Sequence, residues 1–304
     1  MTTLKLNHNV FTLDNRQLLS AGAVVSNEIV EELISTHESS PTKSYPFLKH
    51  RSIKDNILLF FSQTPYDTIL ADKKRTASIL DLMAQVNVPY PVLEIMDYFK
   101  LNDFYTYRHF LMVYALSTLL AQDLMGNHND ILKEVLAGPT HDLGKICVPL
   151  NILKKTDPLT RSERLFLEHH TIAGYVLLSY YLQDRKKFSA KAARDHHERN
   201  DGSGYPRGTH LKDRMIEIVV VSDVYDALIS PRPYRRLSYD NRTALEEISG
   251  MAEKGKISWE IAQAIVAVNR KDRPHYSECI VSLDKRGTPP PDNLYGIILD
   301  EETQ

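Results

Sequence analysis

Cysteine is nearly absent from this chain: Cys147 and Cys279 are the only two among 304 residues. Two thiols cannot build the disulfide framework of a small secreted domain and leave too few ligands for a sulfur-rich zinc site. Any metal is therefore to be held by nitrogen and oxygen. No stretch approaches the roughly 20 apolar residues that span a bilayer. The N-terminus, MTTLKLNHNVFTLDN, lacks the apolar run and small-residue cleavage site of a secretory leader. A cytoplasmic protein without membrane association is expected. An excess of one charge is missing too: 37 Lys and Arg oppose 39 Asp and Glu, which argues against gripping a nucleic-acid polymer. What remains, 42% hydrophobic and 25% charged, is ordinary globular composition, and the length favours one large domain with a smaller companion.

Pattern divides the chain unevenly. Val10 to Val25 alternates and breaks at Asp14-Asn15 and Gly22, which predicts short strands joined by turns. Ser26 is placed to cap a following helix whose early turns carry Glu28, Glu31 and Glu32. Polar sequence from Ser35 to Ser44 reads as a loop, and the apolar stretch Ile57 to Phe61 is ambiguous. We read residues 1–68 as a small mixed α/β module, possible seat of regulation or dimer formation, and 69–101 as a helical connector with helices over Tyr66 to Val86 and Pro91 to Leu101. Residues 102–275 form a mainly α domain, and 276–304 a proline-rich tail. Within the large domain, His109, Val113, Leu116 and Leu120 share one helix face. Thr160 and Glu163 make a capping box opening a helix through His169 and His170 to about Leu182, and Ser189 is expected to cap another that ends at His196-His197. Met215 to Ile229 has strand composition but helical length.

Eight of the twelve histidines lie between His109 and His210. Density alone is weak evidence, since a single buried histidine is more often a hydrogen-bonded core residue than a ligand. Local context says more. His141-Asp142 in T-H-D-L-G-K sets an imidazole beside a carboxylate, with Lys145 three residues on. A neutral imidazole is a terminal ligand, a carboxylate can bridge two cations, and an ammonium can neutralise a phosphate oxygen. In H-H-E-R-N-D-G-S-G-Y-P, from His196 to Pro206, two glycines and a proline enforce a turn that could fold back on the histidine pair, though such turns also occur with no ligand. Asp223 and Asp226 lie on one face if their segment is helical. After the apolar run Ile218 to Val221 a buried carboxylate needs a cation, a metal or a donor, and a structural salt bridge would also serve.

In this order, Y-T-Y-R-H (105–109), H-D-L-G-K-I-C-V-P (141–149), L-T-R-S-E (159–163), H-T-I-A-G (170–174), the HHERNDGSGYP block and S-D-V-Y-D-A-L-I-S-P-R-P-Y-R (222–235) make the chain resemble the HD-GYP family of HD phosphohydrolases, bacterial phosphodiesterases acting on cyclic di-GMP. The resemblance implies an HD-type helical bundle. It implies His109, His141, Asp142, His170, His196, His197 and Asp223 as metal ligands, with Asp142 bridging and catalytic. Periodicity leaves His169 and His170 equivalent; the family's spacing to Gly174 selects His170, and His169, His128 and His210 are read as structural. Lys145 is implied as a catalytic contact to the attacked phosphate, and Gly204, Tyr205, Arg232 and Arg235 as further substrate contacts. Thr171 stands where the family has proline and Asn200 where it has an aromatic. Tyr105 occupies the place of the glutamate associated with a third metal, so two divalent ions, iron or manganese, are expected. The expected reaction is hydrolysis of the 3'-5' phosphodiester of cyclic di-GMP to linear pGpG and onward to GMP, by water activated between the cations. Alternatives are another cyclic or linear nucleotide such as cyclic GMP-AMP, or a non-hydrolytic sensing module. Diguanylate cyclase (GGDEF) domains docking on an exposed GYP turn, and a second copy of the chain, are the expected protein partners.

Overall fold

The computed structural model describes residues 4–36, 43–232, 235, 237–291, 293 and 297–299. The alternating N-terminal segment forms a hairpin, β1 (Val10–Phe11) against β2 (Gln17–Leu19). Helix α1 (Asn27–Ser35) follows, capped by Ser26, whose hydroxyl accepts from Ile29 N at 3.3 Å. Most of the polar loop expected at 35–44 lies outside the described residues. Strand β3 (Ser44–Pro46) leads into helix α2 (Ile53–Phe61), so the ambiguous apolar stretch is helical, with Ile57, Phe60 and Phe61 turned into the core. The helix expected over Tyr66 to Val86 is two: α3 (Tyr66–Ile69) and α4 (Lys73–Ala84). Asp72 accepts from Lys74 N and Arg75 N, and an N-cap of this kind starts a new helix rather than continuing one. Strand β4 (Asn87–Pro89) pairs with β3, joining the first module to the connector, and α5 (Tyr90–Asn102) takes Pro91 within its first turn.

Helix α6 (Phe104–Leu124) is the axis of the large domain, buried nearly all round from Thr106 to Ala121. Such a helix must be covered on every side. Helices α2, α4 and α5 pack on it, as do α8 (Ala137–Thr140), which follows α7 (His128–Glu134), and, later in the chain, the helices over Arg214–Ile229 and Trp259–Asn269. A 3-10 turn over Leu143–Cys147 and the short α9 (Leu150–Leu153) lead to β5 (Leu159–Thr160). The capping box at Thr160 and Glu163 opens α10 (Arg161–Glu168), but the helix expected to run on to Leu182 breaks at His169 and resumes as α11 (His170–Tyr181). Helix α12 (Phe188–Asp195) ends just before the histidine pair. Its N-cap is Lys187, and Ser189 lies inside the helix with its side chain buried, which corrects the expected cap.

The segment of mixed character is helix α13 (Arg214–Ile229): Asp213 caps it, accepting from Ile216 N at 3.1 Å, and burial of its β-branched residues overrides their strand propensity. Helices α14 (Asn241–Glu253) and α15 (Trp259–Asn269) close the bundle. The tail returns to lay β6 (Ile298–Leu299) parallel to β5. Among the described residues no helix is long and apolar enough to cross a membrane.

Candidate metal centre

Two elements are pressed together by close backbone approach, and three more reach the same point. A Cβ on Gly144, in the turn after His141-Asp142, would lie 1.9 Å from the carbonyl oxygen of His170 and 2.4 Å from Gly174 N. Only glycine lets that turn press on the start of α11. Asp142 Oδ1 thereby reaches 3.1 Å from His170 Nε2 and 3.6 Å from His196 Nε2 at the end of α12. Its other oxygen lies 3.3 Å from His141 Nε2 and 3.7 Å from His109 Nε2 on α6. From α13, Asp223 Oδ1 comes within 3.0 Å of His109 Nε2 and 4.0 Å of His141 Nε2. The seven residues expected as ligands thus gather into two groups that could hold a metal ion, Asp142 with His170, His196 and His197, and Asp142 with His109, His141 and Asp223. Asp142 is common to both.

Four of the imidazoles have their tautomer assigned by their surroundings. Nδ1 of His141 donates to Gly138 O at 2.7 Å, Nδ1 of His170 to Leu167 O at 2.5 Å and Nδ1 of His196 to Ala193 O at 2.9 Å, while Nδ1 of His109 donates to Asp226 Oδ2 at 2.6 Å. Each ring is left with an Nε2 lone pair aimed at the common centre. There they face acceptors: His170 Nε2 and His196 Nε2 are 3.3 Å apart, and Asp142 Oδ1 and His141 Nε2 are buried without a hydrogen-bond partner among the described residues. Lone pairs collected in a buried site repel one another unless a cation lies between them. The donor set, nitrogen and carboxylate oxygen without sulfur, suits a divalent transition metal.

The electrostatics differ between the two groups: at His141 burial is outweighed by the charges of Asp142 and Asp223, which raise the ring above its ordinary value, whereas His196 and His197 are lowered. Burial lowers the His196 pKa to about 4 and, with His196 and His170 adding to it, holds His197 well below its ordinary value, so both stay neutral as ligands require. Burial would raise the Asp142 carboxyl, but the Lys145 ammonium and His141 outweigh it and hold the group well below the usual range. For Asp223 burial is likewise outweighed by positive charge at the His109, His141 and His197 positions, a charge that falls to a bound cation when the rings are neutral ligands.

Residues 74–260 match the family model of the HD domain. The chain belongs to the HD domain family. Within it, the sequence blocks from Tyr105 to Arg235 are those of the HD-GYP branch, and all fall inside the matched residues. Among curated relatives, a cyclic di-GMP phosphodiesterase of Thermotoga maritima is 38% identical over 191 residues, 60% of this chain and 50% of that protein. Cyclic di-GMP phosphodiesterase PA4108 of Pseudomonas aeruginosa is 34% identical over 204 residues, 63% of this chain and 47% of its own. The 3'3'-cGAMP-specific phosphodiesterase 1 of Vibrio cholerae is 38% identical over 135 residues, 43% and 30% respectively. The chain therefore spans half or less of these relatives.

Around the HD centre the structure opens a cavity of about 210 Å³, with His109, Asp142, His170, His197 and Asp223 among its lining. Lys145 lines it and donates to Asp142 Oδ2 at 2.5 Å, and Arg232 does too, its Nη2 lying 3.1 Å from His109 Nδ1. Tyr205 stacks on the His197 ring with centroids 4.6 Å apart. Of the five expected substrate contacts, Gly204 is the one not among the cavity's lining residues. Arg235 also lines the cavity; it is 3% exposed and its Nη2 donates to the carbonyls of Ala227, Leu228 and Ser230 at the end of α13. Gly204 packs on backbone: a Cβ there would meet His197 O at 2.2 Å and Glu198 Cα at 2.4 Å. Nor is the GYP turn fully exposed, since Gly204, Tyr205 and Pro206 are half-buried against the site.

Sequence reasoning left several residues without a role. Glu198, 1% exposed, accepts from Arg207 N at 2.7 Å and Thr209 N at 3.0 Å and so folds the GYP loop back over the histidines. Its position directly after the histidine pair was the available signal. Lys155 and Arg164 add positive charge to the cavity wall, balanced by Glu163 and Glu168. The three residues set aside as structural are placed apart from the two groups: His169 meets the His8 ring edge-on, His128 opens α7, and His210 Nδ1 lies 2.7 Å from Asn200 O.

Proposed function

We propose that this chain is a binuclear metal-dependent phosphodiesterase that hydrolyses cyclic di-GMP at a 3'-5' linkage to pGpG, with GMP as the product of a second cut. The observation that carries the reading is the set of tautomer-fixed imidazoles gathered with Asp223 and the shared Asp142 as two metal-binding groups on the floor of the cavity. His109, His141, Asp142 and Asp223 would hold one cation and Asp142, His170, His196 and His197 the other, iron or manganese by ligand type. Bound there, such cations supply Lewis acidity toward water and phosphate oxygens.

The chain's own groups do the positioning. Lys145 has three N–H donors and spends one on Asp142, leaving the ammonium able to neutralise a phosphate oxygen above the floor. Arg232 offers a planar fork on the same wall, suited to phosphate or to the edge of guanine. Tyr205, held by its stack on His197, supplies an aromatic edge to the cavity and fixes that ring. The similarity to a cGAMP-specific enzyme supports cyclic GMP-AMP as a second substrate to compare. We test the reading by metal analysis beside turnover of both dinucleotides. Asp142→Ala should lose metal and activity together, and Lys145→Ala should keep the metal and turn over slowly. The reverse pattern, or tight binding without product in fully metallated protein, would refute it.

A further inference from the structure

Seven ligands leave open what holds His109 in place. Its Nδ1 donates to Asp226 Oδ2, and Asp226 is wholly buried. The opposite oxygen, Oδ1, accepts from Arg108 Nη1 at 3.0 Å, from Ser230 Oγ at 3.0 Å and from the hydroxyl of Tyr66. Tyr66 is the first residue of α3 and lies before residue 74, where the family match begins. It is also fully buried, and burial with the Asp226 charge pushes its hydroxyl well above the ordinary range, so it acts there as a donor. A second contact from the same region covers the group: the Arg108 guanidinium lies 5.5 Å from the ring centres of both Phe60, on α2, and Tyr66. The N-terminal helices therefore close over Arg108 and Asp226 from the side away from the cavity.

We infer that Tyr66 is a positioning residue of the metal centre: through Asp226 it orients His109, so that a residue preceding the family match supports the group of His109, His141, Asp142 and Asp223. This rests on the metal reading above. A carboxylate held by several donors keeps its hydrogen-bonded histidine in one tautomer and orientation, and removing such an outer partner weakens metal affinity by about 10- to 100-fold in general. Geometry makes the effect selective, because Asp226 touches His109 and none of His170, His196 or His197.

Metal-free full-length protein is titrated with Mn²⁺ alone by calorimetry, with bound metal counted by elemental analysis. Tyr66→Phe, which keeps the ring, should weaken one binding step by about 10-fold or more and leave the other within about twofold, lowering kcat with KM unchanged. In an Asp226→Asn background the same substitution should add nothing, because its effect runs through that carboxylate. Equal affinities in Tyr66→Phe and the parent, equal weakening of both steps, an undiminished effect in the Asp226→Asn background, or a Tyr66→Phe chain that no longer folds would each overturn the inference. A parent protein that takes up no Mn²⁺ would instead defeat the metal reading.

Discussion

Gly144→Ala is the substitution on which the geometry commits itself furthest. The new methyl would sit 1.9 Å from His170 O and 2.4 Å from Gly174 N, both backbone atoms of α11 that cannot swing aside as a side chain would. Real Cβ contacts keep to 3.0 Å or more, so the turn and the helix must separate by about 1 Å. Overpacking of this kind costs about 1–3 kcal/mol, and each kcal/mol lowers Tm by roughly 2–4 °C in a domain of 150–250 residues. Function should suffer more. The displaced atoms carry Asp142 on one side and His170 on the other, now 3.1 Å apart, and a misplacement of about 1 Å costs on the order of 100-fold in rate. Thermal melting, metal content and turnover measured on one preparation separate the two effects: Tm falls by a few degrees while the Asp142, His170, His196 and His197 group loses its ion. A Gly144→Ala protein with parental melting, metal content and rate would refute the claim that this contact assembles the centre.

Three further outcomes follow from named contacts. Glu198→Ala strips Arg207 N and Thr209 N of their buried acceptor, about 1–3 kcal/mol by the general cost of unsatisfied groups, and should raise KM as Tyr205 loosens from His197; an unchanged KM would count against the loop's role. Burial pushes the Cys147 thiol up to about 11, so below that pH it stays protonated, and at pH 8 only about one molecule in a thousand carries the thiolate. Cys147 is half-buried, and iodoacetamide should label folded protein slowly at pH 8 and unfolded protein quickly, whereas fast labelling of the native state would contradict the raised thiol. Removing metal with a chelator leaves the Nε2 lone pairs facing one another, so Tm should drop and recover with Mn²⁺, by about 2.7 kcal/mol at one hundred times Kd. A melting curve indifferent to both would speak against a metal centre.

Much of this was legible in order along the chain. Capping residues announce themselves locally, and so Ser26 and the Thr160–Glu163 box start helices where the sequence puts them. Neighbouring chemistry is equally local: the His141-Asp142 pair, the His196-His197 pair and Asp223 declared nitrogen and oxygen donors, and the resemblance carried by the separated blocks grouped them. Where elements end in competition with neighbours, sequence was less informative. The break at His169 and the helix over Met215 to Ile229 were decided by packing, which outweighs propensities worth tenths of a kcal/mol per residue.

Sequence by itself thus determined which residue types meet and in what order, because donor chemistry and caps depend on a few adjacent side chains. Tertiary structure decided direction. Arg235 looks like a free cation in a string of letters, yet its Nη2 is spent on three carbonyls at a helix end. Asp226 and Asp223 read as twins three residues apart, but one faces the common centre and the other stands behind His109, joined there by Tyr66 from 160 residues away. Such roles depend on which atoms a crowded interior leaves within 3 Å of each other, and that is a property of the packed chain, not of any short stretch of it.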